Sequence, residues 1–285
     1  MNALKTFAAT TSFAAASLIS VPASAVIVAG VDFGVVGASF HIETGTIATS
    51  FVTGAGQATT SYGLITSVNG DTTYCADGSN NCALYFRTDA VSTSFGSADV
   101  YFGGTKALIF YSAAAPINLL SQSSAANLAF LGTLTPWATF TGENGVDPTA
   151  AGLVSDTRST LMLTGATISA SSSSLWSVST ADGLGNAAAE AFLNSNAIPT
   201  FVGSFADVAV TASGNNFVLN PFDVANLSAD SCRTGSPETG DWCIQGSTDI
   251  RGLTVPPPPV PEPASSALFA LGLALLGFAR RASKS

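Results

Sequence analysis

Ala98-Asp99-Val100-Tyr101-Phe102 and Ala107-Leu108-Ile109-Phe110-Tyr111 decide the fold class. Both are short and apolar, and β-branched and aromatic side chains are frequent in them. Such side chains fit a pleated, half-buried surface. Thr160-Leu161-Met162-Leu163 and Phe205 to Val210 read the same way, and Gly, Ser, Asn or Asp stand close by each segment. In the last of them Asp207 interrupts an apolar stretch, as a half-exposed strand allows. Asn69-Gly70 and Asp77-Gly78 are hairpin-turn dipeptides, because each offers residues that tolerate positive φ. Many short strands with turns between them predict a mainly β chain. The expected form is an antiparallel β-sandwich or jelly-roll-like domain with one or two short helices.

The stronger helix candidate is Leu184 to Asn196, built on Ala187-Ala188-Ala189-Glu190-Ala191-Phe192-Leu193 with Asn186 as N-cap. Leu184, Ala188, Ala191 and Phe192 are expected on its sheet-facing side. Asn118 to Ala129 is a weaker second candidate.

Composition narrows the function classes. Of 285 residues only 9% are charged, 47% are hydrophobic and 27 are glycine. The apolar content argues against a disordered chain. Setting aside the two ends leaves seventeen acidic against five basic residues between them. That surface repels phosphate backbones, so no nucleic-acid partner is expected. One histidine, His41, excludes multi-histidine zinc sites.

Both ends read as addresses. Lys5, an apolar run from Thr6 to Val21, and Ala23-Ser24-Ala25 have the three parts of a signal peptide, with cleavage by signal peptidase expected after Ala25. Pro256 to Pro259 begin a stiff polyproline spacer. Ala264 to Ala279 is sixteen residues without a charge, followed by Arg280, Arg281 and Lys284. This reads as a short transmembrane helix with a basic cytoplasmic end. The expected organisation is therefore signal peptide 1–25, β-rich extracellular domain 26–254, proline-rich spacer 255–263, transmembrane helix 264–279 and basic tail 280–285.

Val260-Pro261-Glu262-Pro263, then a short apolar helix, then Arg280-Arg281, resembles the PEP-CTERM sorting signal of exported bacterial proteins. The resemblance implies that a membrane peptidase of the exosortase type cuts near the motif and delivers the chain to the cell surface or matrix. A fainter likeness runs through the body: Gly63 to Gly70, the first cysteine pair, Val100 to Phe110, Thr135-Pro136-Trp137, Phe192 to Ile198, and Thr248-Asp249-Ile250-Arg251. These stations are similar to those of flocculation-associated PEP-CTERM proteins, and the likeness implies a role in aggregation, flocculation or biofilm.

All four cysteines lie in the exported part, where disulfides persist. Sequence proximity favours Cys75–Cys82 and Cys232–Cys243, although four cysteines allow three connectivities. Zinc is disfavoured by the spacing, and no cofactor is expected.

Little in the chain suggests catalysis. There is no Gly-x-Ser-x-Gly elbow, no phosphate loop and no His-Glu-x-x-His. Glu43, Glu143, Glu190 and Glu238 would have to converge in pairs for glycoside hydrolysis. Asp71, Asp77, Asn80 and Asn81, or Asn144 and Asp147, could offer oxygens to calcium but lack an EF-hand spacing. Trp137 and Trp176 are expected in the core, and Trp242 over its neighbouring disulfide. The expectation is a non-enzymatic surface or matrix protein with an exopolysaccharide as candidate partner. A carbohydrate-binding module is the alternative, and a secreted hydrolase a more distant one.

Overall fold

The computed structural model describes residues 25–34, 39–96, 98–146, 155–164, 167–216, 238–242 and 244–255. The two segments quoted first are one strand, β6 (Asp99–Ser112). Gly104, at φ +65°, bends it between them, a backbone angle that glycine adopts at little cost.

The other long strands are β3 (Ser39–Thr49), β4 (Ala58–Val68), β5 (Ala83–Phe95), β7 (Thr135–Gly142), β8 (Thr157–Thr164), β9 (Thr167–Val178), β12 (Val208–Asn215) and β13 (Ile244–Leu253). Every pairing among them is antiparallel. The sheet runs β12-β13-β3-β4-β5-β6-β7-β9, and β9 pairs back to β12 from Trp176↔Val208 to Ser169↔Asn215. It is therefore a closed barrel of eight staves.

This corrects the expected sandwich or jelly roll. Alternating strands with turns are equally compatible with two stacked sheets or one closed sheet. The β9–β12 pairing chooses closure, which also removes the unpaired edges of an open sheet.

One stave is shared. Along Lys106–Tyr111, β6 pairs with β7, whereas along Asp99–Phe102 it pairs with β8. Both β7 and β8 then pair with β9. At the changeover the ladder is interrupted, and Asp156, 1% exposed, fills the gap. Its carboxylate accepts from Thr105 N at 2.9 Å and from Thr105 Oγ1 at 2.5 Å, while its own N–H donates to Phe102 O. A Cβ at Gly142 would collide with this carboxylate, so the glycine makes room for the joint.

Side chains alternate across the wall. In β5, Leu84, Phe86, Thr88 and Ala90 point inward, while Arg87 and Asp89 point out and pair with each other. Outward charges recur on other strands, as in the Arg158–Asp99 pair at 3.1 Å near the starts of β8 and β6.

One half of the interior is packed solid with Ile42, Ile65, Leu84, Ile109, Phe140 and Trp176 among others. The hairpin of β1 (Ile27–Val28) and β2 (Val31–Asp32) stoppers this end together with helix α2 (Ala187–Leu193). Phe33 lies 6.1 Å from Trp137 and 4.8 Å from Phe192, ring centre to centre. The Trp137 indole N–H donates to Ala29 O. Asn186 caps α2 as expected, accepting from Ala188 N and Ala189 N.

The buried face of α2 differs from expectation. It is Ala189, Glu190, Phe192 and Leu193, with Ala188 and Ala191 exposed and Leu184 49% exposed. Seven residues make two turns, so the docking of Phe192 on Phe33 sets the helix rotation rather than an extended apolar stripe.

The second helix candidate is a 3-10 turn, Leu119–Ser121, followed by helix α1 (Ser124–Leu131). Leu119 and Leu131 lie against Tyr62, Tyr85 and Phe110 on the barrel's outer face. The Tyr62 hydroxyl donates to Ser124 Oγ and accepts from Asn127 Nδ2.

Asp207 is also corrected. It is 1% exposed rather than half-exposed, and divides β11 (Phe205–Ala206), which pairs with the short β10 (Ile198–Pro199), from β12. It accepts from Val178 N at 2.7 Å and from Asn196 N at 2.5 Å, which repays the burial of its charge. Asn69-Gly70 is the expected tight turn, with both residues at positive φ between Val68 and Asp71.

No helix among the described residues is long and apolar enough to cross a membrane. The expected signal peptide up to Ser24 and the expected span at 264–279 lie outside the described residues.

Candidate functional site: the open half of the barrel lumen

The half of the lumen away from the stopper is not filled. It encloses a cavity of ≈ 150 Å³. All staves at this level contribute to its lining: Ile47 and Thr49 from β3, Thr59 and Ser61 from β4, Thr88 and Ala90 from β5. Val100, Phe102 and Thr105 come from β6, with Thr157, Ser159 and Leu161 from β8. Ala170, Ser172 and Ser174 of β9, Val210 and Ala212 of β12, and Ile244, Gly246 and Thr248 of β13 close the ring. Phe86 and Trp176 make the boundary with the packed half, their rings stacked 6.1 Å apart at 16°. Phe51, Phe95 and Ile244, each partly exposed, rim the other side.

The cavity exists because the inward positions of β8, β9 and β12, Leu161 and Val210 aside, carry Ser, Thr, Ala and Gly where the packed half carries Ile, Phe and Trp. Small side chains at alternate positions leave the centre of an eight-stave barrel empty.

Six of the lining hydroxyls bond to one another in pairs along the wall. Thr157 Oγ1 and Ser174 Oγ are 2.7 Å apart, Ser159 Oγ and Ser172 Oγ 2.6 Å, and Thr49 Oγ1 and Ser61 Oγ 2.9 Å. Each is a cross-strand rung between register partners. None of the lining side chains is ionisable. One buried polar atom beside the lumen stands apart. Trp176 is 3% exposed, and its indole N–H has no hydrogen-bond partner.

The residues singled out from sequence lie elsewhere. His41 is on the outer face of β3, half-exposed, against Asp249 and 3.6 Å from Glu43. Arg251 joins them, its Nη2 2.8 Å from Asp249 Oδ2. Asp249 raises the already high pKa of Arg251 by hydrogen bonding and by its charge. The group is a surface charge cluster on adjoining strands, not a cleft.

The glutamates are dispersed. Glu43 accepts from Ser67 Oγ, Glu143 lies beside Ser204, and Glu238 is exposed. Glu190 is buried in α2 and accepts from Thr139 Oγ1, as does Asp182.

The oxygen donors considered for calcium are engaged locally. Asp71 Oδ1 accepts from Thr73 N and Oγ1, and Asp77 Oδ1 from Ser79 N. The Thr73 backbone bond to Asp71, and the Ser79 side-chain bond to Asp77, hold both carboxyls below their usual pKa. Asp147 lies outside the described residues, and among those described no three His, Cys, Asp or Glu converge as a metal-ion set.

Cys75–Cys82 is a disulfide, with Cα atoms 5.7 Å apart. It ties the loop between β4 and β5 beside the stopper, where Cys75 bridges Val31. The expected Cys232–Cys243 pair lies outside the described residues. Trp137 and Trp176 are buried as expected. Trp242 is half-buried and rests edge-on against Tyr62 at 5.3 Å, within the outer cluster.

The lumen itself was the site that sequence reasoning missed. Its signal is Thr157 and Ser159 facing Ser174 and Ser172, four hydroxyls at alternate positions of neighbouring strands. Only the register makes them neighbours.

Among known proteins, no curated sequence matches the chain. The family model of the PEP-CTERM protein-sorting motif matches residues 259–284, which include Val260, Pro261, Glu262, Pro263, Arg280 and Arg281. That match gives the chain a PEP-CTERM protein-sorting motif at its C-terminal end and indicates exosortase-dependent sorting of an exported protein.

Proposed function

We propose that the chain is a non-enzymatic cell-surface or matrix protein acting in aggregation, flocculation or biofilm structure. Its route begins with a signal peptide cut after Ala25. A transient anchor at 264–279 and exosortase processing near Pro261-Glu262-Pro263 complete it. The observation that carries the reading is the sorting motif at 259–284. A body without catalytic chemistry is supported by the lumen, whose lining offers no acid, base or charged group to a substrate. It is supported too by the separate settings of the four glutamates, Glu43, Glu143, Glu190 and Glu238.

The carbohydrate-binding alternative is weakened in its usual form. Sugar rings stack on exposed aromatic faces; Trp137 and Trp176 are buried, which leaves the half-buried Trp242 and the exposed Phe201 and Phe205 for that role.

The test uses a strain lacking the gene, complemented with the full chain or with a chain ending at Pro259. The full chain should restore aggregation, and mass spectrometry should find it in surface or medium fractions, beginning at Val26 and ending near Pro263. Normal aggregation in the deletion strain would sink the matrix role. Recovery with Arg280-Arg281 attached, solely in membranes, would sink the sorting route. Saturable binding of the purified protein to the strain's exopolysaccharide would shift the reading to a carbohydrate-binding module.

A further inference from the structure

We propose that the seat of helix α2 is a calcium-binding site formed by Thr139, Ser179, Asp182 and Glu190. Oxygens meet there from three parts of the fold: Thr139 of β7, Ser179 and Asp182 of the loop after β9, and Glu190 of α2. Thr139 Oγ1 lies 2.8 Å from Ser179 O, 3.2 Å from Asp182 Oδ1 and 3.0 Å from Glu190 Oε1.

The group is short of protons. A threonine hydroxyl has one hydrogen, and this one is shared among three acceptors. Asp182 Oδ1 also accepts from Leu184 N at 3.0 Å, and Asp182 Oδ2 lies 3.5 Å from Ser179 Oγ. Glu190 Oε1 has no second donor among the described residues. With the Thr139 proton on the Ser179 carbonyl, the shortest of the three contacts, a carboxylate only 4% exposed points into the group without a partner.

The charge is unmatched as well. Neither Asp182 nor Glu190 forms an ion pair among the described residues. A buried carboxylate with neither donor nor counter-charge is costly, and a bound cation removes that cost. The local backbone is shaped to hold the carboxylate there. A Cβ at Gly185 would collide with Glu190 Oε1, so the glycine lets the side chain turn in toward Thr139.

The donor set selects the ion. All the ligands are oxygens, two from carboxylates and two neutral, which suits a hard divalent cation and offers zinc no nitrogen or sulfur. Oxygens around calcium lie roughly 3 Å from one another at bonds of about 2.4 Å, and the spacing about Thr139 Oγ1 is of that size. Magnesium keeps several waters, for which Thr139 and Glu190, 2% and 4% exposed, leave little room. Calcium bound here would tie α2 to the barrel wall.

The test strips the purified protein with EGTA, removes the chelator and titrates calcium chloride by calorimetry, with magnesium chloride in parallel. Melting is read in calcium and in EGTA. The variants are Asp182→Asn and Glu190→Gln, with Asp71→Asn as control because its carboxylate is bonded within its own loop. Asp182 is partly exposed, so its variant serves if Glu190→Gln does not fold.

The native protein should bind one calcium with Kd on the order of 10⁻⁴–10⁻³ M and melt higher in calcium than in EGTA. Asp182→Asn and Glu190→Gln should each weaken calcium by about ten-fold or more and lose the shift, while Asp71→Asn keeps both. Absence of saturable calcium binding overturns the proposal, as does binding that Asp182→Asn leaves unchanged. So does a Glu190→Gln variant more stable than the native protein with no calcium shift in either, since a proton would then hold the group together. Equal affinity for magnesium overturns the choice of ion.

Discussion

The two halves of the barrel share seven staves, with β7 in the packed half giving way to β8 in the open half, and they differ in what their inward positions hold. Toward the stopper, β9 and β12 place Trp176 and Val208 inside, and Leu84, Ile109 and Phe140 complete a packed interior. Toward the rim, the same two strands place Ser174, Ser172, Ala170, Ala212 and Gly214 inside, and a cavity remains. Backbone pairing runs through both halves, so ladder hydrogen bonds do not distinguish them. Stability concentrates where apolar area is buried and voids are absent, which leaves the other half free to hold something.

The largest expected effect lies in the packed half. Phe140→Ala should lower stability by about 3–5 kcal/mol in denaturant melts, since a large buried side chain is lost and a cavity is left. A loss under about 1 kcal/mol would mean that the two halves are not energetically distinct.

Next comes the joint between them. Asp156→Ala removes the acceptor of Thr105 N and Thr105 Oγ1, and should cost about 3 kcal/mol. Hydrogen exchange should accelerate first in β7 and β8, the strands whose changeover Asp156 bridges.

Replacing Cys75 and Cys82 together by Ser should lower stability by about 2–3 kcal/mol, because the disulfide closes a short loop. The loss should be matched by reducing the native protein and not by reducing the variant.

At the rim, Ser172→Ala removes one member of a paired rung and should change stability by about 1 kcal/mol or less. A larger loss there would erase the contrast between the halves.

The smallest effect is in pH. Burial pushes the Tyr74 and Tyr85 phenols above the ordinary tyrosine value of 10.0. Both then hold their protons in the folded chain at a pH where the unfolded chain has released them. Their contribution is fully present below about pH 10 and is lost as pH rises through the folded values. Phenolate absorbance should show two tyrosines titrating late, and melting should move down over that range.

Some of this was legible in residues alone. Val100 to Phe102 and Leu108 to Tyr111 announce strands through side-chain shape, Asn69-Gly70 announces a turn through its tolerance of positive φ, and Asn186 announces a helix start. The sorting signal is legible because a peptidase and a membrane read it as linear chain, so its order of proline motif, apolar run and arginines needs no fold around it. The cysteine pair separated by six residues is similar, because a short loop keeps its ends close.

What tertiary structure decided are the relations between distant residues. Closure of the barrel rests on Trp176 pairing with Val208, and the shared stave on Asp156 reaching Thr105. The lumen rests on register, since a shift of one residue would turn Thr157, Ser159, Ser172 and Ser174 to the outside. Composition and periodicity describe each strand by itself, and an inward face has no meaning until the sheet has closed around it.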